Sequence, residues 1–229
     1  MTKENEKMID LPDVTLICVS SIDIDKHLYA LRKSMEGINF GCVKFVTHED
    51  LDLDGIQVEK CDKIDSIDKF NHYMIYDLHK HIDTSHALTI HDDGFVINPE
   101  KWDPLWLQFD YIGSLWAFSD SSFLDPWGNH IRVGNGGFSL RSKKLLEVPL
   151  RADVPWNINQ GEFYKHMGAG LFSEDGNICV HNRHIYEVLG CKFAPVTVAA
   201  RFAHEEPVPE TKGITPFGFH YHLPPGTVL

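Results

Sequence analysis

The chain has 229 residues, 43% hydrophobic and 24% charged, enough apolar material for one substantial core. Its 21 Lys and Arg stand against 33 Asp and Glu, a net charge of −12, which argues against nucleic acid or an anionic membrane as partner. No run of about 18 apolar residues exists to cross a bilayer, and Met1–Met8 is too polar for the apolar segment of a signal peptide.

Residues 1–12 are expected to be a disordered lead-in closed by Pro12, followed by one domain over 13–229. Val14–Ser20 is a β-branched apolar run with the composition of a buried strand. Asp23–Asp25 offers a helix cap. Ile24, Leu28, Leu31, Met35 and Ile38 then recur at helical spacing and predict one apolar stripe. Gly41–Thr47 and Gly55–Glu59 predict a second and a shorter third strand. Phe70, Met74, Leu78 and Ile82 predict a helix over 66–82, and His86–His91 a further strand that runs directly into Asp92-Asp93-Gly94. This order implies an α/β layer with a mostly parallel sheet. Ligands of such sheets bind beyond the carboxyl ends of the strands. Ser20-Ser21 and Asp92-Asp93 fall at two of those ends.

The second half is less regular. Residues 98–135 are rich in aromatics, Gly, Pro and Asp, with Trp102, Trp106, Trp116 and Trp127 among them. Val133–Leu140 predicts a glycine-punctuated turn entering a strand. Short helices are expected over 143–148 and 158–167, and a better one over 178–189, ended by Gly190. From Ala203 the tail is Pro-rich and carries Phe217-Gly-Phe-His-Tyr-His222. The five cysteines are scattered and form no C-x-x-C pair. That argues against a disulfide framework or a cysteine zinc site and predicts a reducing, cytoplasmic setting.

The usual signatures of phosphate loops, dinucleotide folds, zinc proteases and α/β-hydrolases are missing. Four features could carry chemistry. His91-Asp92-Asp93-Gly94 suits a hard divalent cation completed by substrate phosphates, and equally suits a turn. Gly134-Asn-Gly-Gly137 allows close backbone approach to an anion, or a tight hairpin. Ser173-Glu174-Asp175-Gly176 could place a general base, or cap a helix. His220 and His222 could reach a metal, or lie exposed or packed.

The order of these features along the chain resembles the GT-A glycosyltransferases. Asp92–Asn98, Asp110-Tyr-Ile-Gly113, Val133–Arg141 and Phe217-Gly-Phe-His220 are similar to a little-characterised GT-A-like family of bacteria and large viruses. The resemblance spans about Val14 to His220. It implies a GT-A-like (Rossmann-like), mostly parallel sheet flanked by helices, in a single domain. It also implies a nucleotide-sugar donor, with UDP favoured, and a glycan or other hydroxyl acceptor. By the same resemblance Asp93 and His220 hold Mn²⁺ (or Mg²⁺) and Asp175 is the base of an inverting transfer. The first acid of the D-x-D motif falls on His91, which is then expected at the nucleotide or ribose, beside Asp92. Gly136 and Gly137 are expected to flank the donor. Ser20, Ser21 and Thr47 take nucleotide contacts by position alone. Trp116 and Trp127 would suit an acceptor site, or anchor a loop. A metal-dependent nucleotide-diphosphate hydrolase and a non-catalytic carbohydrate-binding module are the alternatives.

Overall fold

The computed structural model describes residues 8–117, 124–156, 173–224 and 226–227. The expected helix over 158–167, and the lead-in as far as residue 7, lie outside the described residues. Strand β1 (Ile9–Val19) is followed by α1 (Ile24–Met35), β2 (Ile38–Thr47), β3 (Gln57–Lys60), α2 (Ile67–Tyr76) and β4 (His86–Ile90). After two short 3₁₀ turns come β5 (Tyr111–Ile112), β6 (Phe138–Ser142) and α3 (Lys143–Leu146). One helical turn, α4 (Glu174–Gly176), continues into a π-helical segment, Asn177–His181. The chain then forms α5 (Arg183–Val188), α6 (Val196–Phe202), β7 (Ala203–His204) and β8 (Gly218–Phe219).

The main sheet has the order β3-β2-β1-β4-β6-β5. The first four strands are mutually parallel, whereas β6 runs antiparallel to both β4 and β5. The α/β class with a mostly parallel sheet is therefore as expected. Both faces are covered. Along β1, Ile17 and Val19 join a core built with α2, α3 and α5, while Leu16 and Cys18 join one built with α1, α6 and Phe217. Burial on both faces explains why the second half of β1, Val14–Val19, is buried throughout and shows no alternation. Among the described residues no helix is long and apolar enough to cross a membrane.

Several boundaries differ from the sequence expectation, and the helix expected over 178–189 is instead the π-helical segment Asn177–His181 and α5, parted at Asn182 with φ −101° and ψ 3°. Strand β1 starts at Ile9, so residues 9–12 are strand rather than lead-in: Ile9 and Leu11 pair with Ile38 and Phe40 before the register shifts around Pro12. Gly41 makes this irregularity possible, since a Cβ there would sit 2.1 Å from the Pro12 carbonyl oxygen. Ile38, expected to close the α1 stripe, instead opens β2, because the helix stops at Met35 and the chain turns at Gly37 with φ +77°. The helix expected over 66–82 ends at Tyr76 and passes into a 3₁₀ turn at Leu78–His81; Ser66 caps its start by accepting from the Lys69 N–H at 3.2 Å.

Topology places the site. The chain steps outward from β1 through β2 to β3, then returns to lay β4 on the other side of β1. Such a reversal leaves a crevice at the carboxyl ends of β1 and β4. Because β6 is antiparallel and Phe138 pairs with Ile90, the glycine loop leading into β6 opens at the same end.

Candidate active site

Strand β4 ends at Ile90, and His91 and Gly94 then exchange backbone hydrogen bonds of 3.1 and 3.3 Å around Asp92 and Asp93. The acidic motif is thus a tight turn, and the turn aims its side chains apart. Asp92 faces α1, with an oxygen 3.6 Å from His27 Nε2. Asp93 faces the tail, 3.4 Å from His220 Nε2. The tail is tied down by the parallel pairing of β7 with β8, by the His220 N–H donating to the His204 carbonyl, and by the Tyr221 N–H donating to that of Asp93. His222, the rival histidine, is exposed.

His91, Asp93 and His220 each bring one ligand atom within 4.8 Å of the others. His91 therefore stands with the two expected metal ligands. Its Nε2 is buried with no hydrogen-bond partner. Burial, followed by the neighbouring His220, lowers its pKa to about 4, so the imidazole is neutral and its lone pair is available. Burial would also lower His220, but hydrogen bonds to Asp93 and Glu205 and their charges outweigh it and raise the group to about 10. The hydrogen bond from His220 in turn holds the Asp93 carboxyl below its ordinary value. His220 Nδ1 lies 3.1 Å from Glu205 Oε1 and 2.8 Å from Asn135 Nδ2. Nδ1–H donates to Glu205 and Nε2–H faces Asp93; a cation that displaced the Nε2 proton would leave the Nδ1–Glu205 bond in place, the arrangement that orients a metal-binding imidazole. An orphaned buried imidazole nitrogen, a second imidazole held by a carboxylate and a facing carboxylate together fit a divalent cation with mixed N/O ligands.

The glycine loop serves this cluster in a way its sequence hides. A Cβ at Gly137 would lie 2.1 Å from His220 Nε2, and one at Gly136 would lie 1.9 Å from Glu174 Oε1. The side chains missing from the loop make room for two protein groups that line the same cleft. Asn135 holds the loop from within: at φ 70° it adopts the left-handed conformation. Its Oδ1 accepts the Gly137 N–H at 2.9 Å, and its carbonyl accepts the Tyr111 hydroxyl at 2.8 Å.

On the other side of the loop, Arg141 on β6 is fully buried and pairs with Glu174, itself 5% exposed. Arg141 also donates to the Ser139 hydroxyl, which bonds Thr89 on β4. Glu174 Oε2 accepts the Asp175 N–H at 2.7 Å, so the pair fixes the backbone of the expected base. Burial, and then the adjacent Glu174 charge, push the Asp175 carboxyl up to about 6, against opposing hydrogen bonds from Ser173 and the Gly176 N–H. A carboxylate poised near neutral pH in a cleft is suited to accept a proton.

The cleft, of about 480 Å³, is lined by His91, Trp116, Asn135–Gly137, Glu174, Asp175, Glu205 and His220. A larger one of about 870 Å³ beside α2 holds none of these residues, and three of its lysines are paired with Asp50, Asp65 and Asp77. Trp116 is buried, with its ring filling the space a side chain at Gly134 would need. Trp102 and Trp106 pack edge to face in the core. Ser20, Ser21 and Thr47 sit at the expected strand ends but are buried. Ser20 Oγ donates to the Ile22 carbonyl, Ser21 Oγ accepts the Ile64 N–H, and Thr47 Oγ1 accepts that of Glu49.

Sequence reasoning missed Glu205, Asn135 and the Arg141–Glu174 pair. Asn flanked by glycines is a signal for left-handed backbone that could have marked Asn135. Glu205 carries no local signal, because only the β7–β8 pairing brings it to His220.

No curated protein matches the sequence. Two solved structures follow a similar chain path. One is a glycosyltransferase involved in the glycosylation of the major capsid of PBCV-1, at 13% identity and TM-score 0.48, over 90% of this chain and 91% of that one. The other is the apo-form glycosyltransferase GlyE of Streptococcus pneumoniae TIGR4, at 12% identity and TM-score 0.44; 92% of this chain covers 55% of it. Likeness this distant assigns neither activity nor substrate. The family profile described as "Protein of unknown function (DUF5672)" matches residues 55–220, which hold β3 to β6 and every member of the His91–Asp93–His220 cluster, so the chain belongs to that family.

Proposed function

We propose that the protein is a metal-dependent, inverting glycosyltransferase that moves a sugar from a nucleotide-diphosphate donor to an acceptor hydroxyl. The observation that carries this reading is the convergence of His91, Asp93 and His220, the two histidines of which line the cleft that also holds Asp175. His91, Asp93 and His220 would hold the divalent cation. Two imidazoles beside one carboxylate favour Mn²⁺ over Mg²⁺. When bound, such a cation neutralises the charge that builds on the leaving diphosphate. Glu205 keeps the His220 imidazole turned so that Nε2 faces Asp93. Asp175, held by Glu174, takes the proton from the acceptor hydroxyl as that oxygen attacks the anomeric carbon opposite the leaving group, which inverts the centre. The carboxyl at about 6 leaves Asp175 largely ionised at pH 7 and still basic enough to act. UDP, the nucleotide most used by GT-A enzymes, is the donor we favour. Five free cysteines suit a cytoplasmic setting.

A thermal-shift panel of UDP, GDP, CDP, ADP and dTDP, each with and without Mn²⁺, tests this. Occupancy at about 100 times the dissociation constant adds roughly 2.7 kcal/mol, a readily visible shift. One nucleotide stabilising the protein only with metal is the expected result, followed by transfer rather than hydrolysis when acceptor is supplied. Absence of any nucleotide effect overturns the proposal.

A further inference from the structure

A second cleft, of about 530 Å³, adjoins the first: Leu115 and Trp116 line one, Arg132 and Val133 the other, and the Leu115–Val133 bridge joins them. At its rim stands Trp127, 66% exposed, at the tip of a hairpin closed by the Leu124–His130 bridge. This tip is rigid. Asp125 Oδ1 accepts the Trp127 and Asn129 N–H groups at 2.9 and 2.8 Å, and Oδ2 accepts the Asn129 amide at 2.9 Å. The indole meets the His184 ring edge to face at 4.9 Å. Beside it Arg183 lies over Phe193 at 4.3 Å and donates to Glu187 at 2.7 Å.

An indole left in water forgoes the burial that an aromatic of its size normally gains. Here the hairpin fixes it in that position. The cleft's charged side chains, Asp125 and Glu187 against Arg132 and Arg183, sum to zero, and Asn129 adds a neutral amide. A flat apolar face next to bidentate hydrogen-bonding groups without net charge matches a sugar ring, which offers an apolar C–H face and a girdle of hydroxyls. It matches an anionic ligand poorly. From Asp175 the chain runs through the π-helical segment to Arg183, a path on the order of 10 Å, more than one sugar ring spans.

We propose that this cleft binds a neutral oligosaccharide through Trp127, and that the chain so held is the acceptor whose terminal hydroxyl reaches Asp175. The word acceptor rests on the transferase reading; the binding does not. Isothermal titration of the full chain, without nucleotide or metal, against maltohexaose, cellohexaose, chitohexaose and mannohexaose tests the binding. At least one should bind, Trp127→Ala should weaken it by about tenfold or more, and Trp127→Phe should restore most of it. The proposal falls if none of the four binds wild type, if Trp127→Ala binds as wild type does, or if Trp127→Ala instead dissociates a dimer. Loss of binding in Trp127→Ala without any nucleotide effect would retain the oligosaccharide cleft and remove the transferase. Transfer without oligosaccharide binding would do the reverse.

Discussion

The carboxylates in and beside one cleft are neutralised in opposite ways. Glu174 is sealed in the interior against Arg141, a cation the fold supplies permanently. Asp93 and Glu205 flank His220 with side chains 45% and 20% exposed, and the cation between them is an imidazole whose charge is a removable proton; Glu205 also accepts the Ser114 hydroxyl. A built-in guanidinium fixes geometry, whereas an exchangeable proton leaves a place for another cation. The same cleft thus combines a rigid wall that orients Asp175 with an open cluster that can take up and release a ligand.

The largest expected effect lies at the residue the wall orients. Asp175→Asn should lower transfer by about 10²–10⁴-fold, the usual contribution of a positioned base, while nucleotide-dependent stabilisation persists. Wild-type turnover in this variant would remove the base assignment. The variant should also gain stability. The folded carboxyl titrates at about 6, above its ordinary 3.8, so the fold favours the protonated form. That contribution is complete below pH 3.8 and is lost as pH rises through 6, whereas asparagine has none to lose. The melting temperature of Asp175→Asn should therefore rise relative to wild type between pH 4 and 7.

Next comes the sealed pair. Arg141→Met leaves Glu174 buried without its cation and should cost about 3–5 kcal/mol in urea unfolding, with or without metal. Gly136→Ala pushes a methyl into Glu174 and should cost about 1–3 kcal/mol by overpacking. Neither cost should respond to Mn²⁺. If both variants unfold like wild type, the wall does not stabilise the fold as described.

The open cluster should give the smallest change in stability and the sharpest change in response. His220 titrates at about 10, above its ordinary 6.5, so its contribution without metal is complete below pH 6.5 and is lost as pH rises through 10. His220→Gln should flatten the decline in melting temperature over that range. It should also abolish stabilisation by Mn²⁺, which displaces the same proton in wild type. A metal response that survives the substitution would assign the cation elsewhere.

The two groups also differ in how far the sequence announces them. Strands β1, β2 and β4 are apolar runs and are visible as such, and the acidic turn is visible because it follows β4 directly. His220 was recognised through motif order, but its partner Glu205 was not, since their meeting depends on two-residue strands that periodicity cannot detect. The glycines were read as a cradle for a ligand, yet at Gly136 and Gly137 the approaching atoms belong to Glu174 and His220. A glycine marks close approach without saying what approaches. Nothing local in the sequence marks Arg141 as an internal counter-ion; the burial of every residue of β6 makes it one.

The placement of His220 on the tail has a consequence for assembly. His91 and Asp93 belong to a sheet whose parallel strands are already distant partners in sequence, and His220 arrives only after β8 has docked on β7. A cation shared by the three would act as a reversible cross-link, closing a loop that contains β5, β6 and all the helices from α3 onward. Closing so long a loop restricts the unfolded chain most. Metal would then slow tail detachment more than it slows any opening within the sheet, so hydrogen exchange at Phe217–Tyr221 is where its presence should register first.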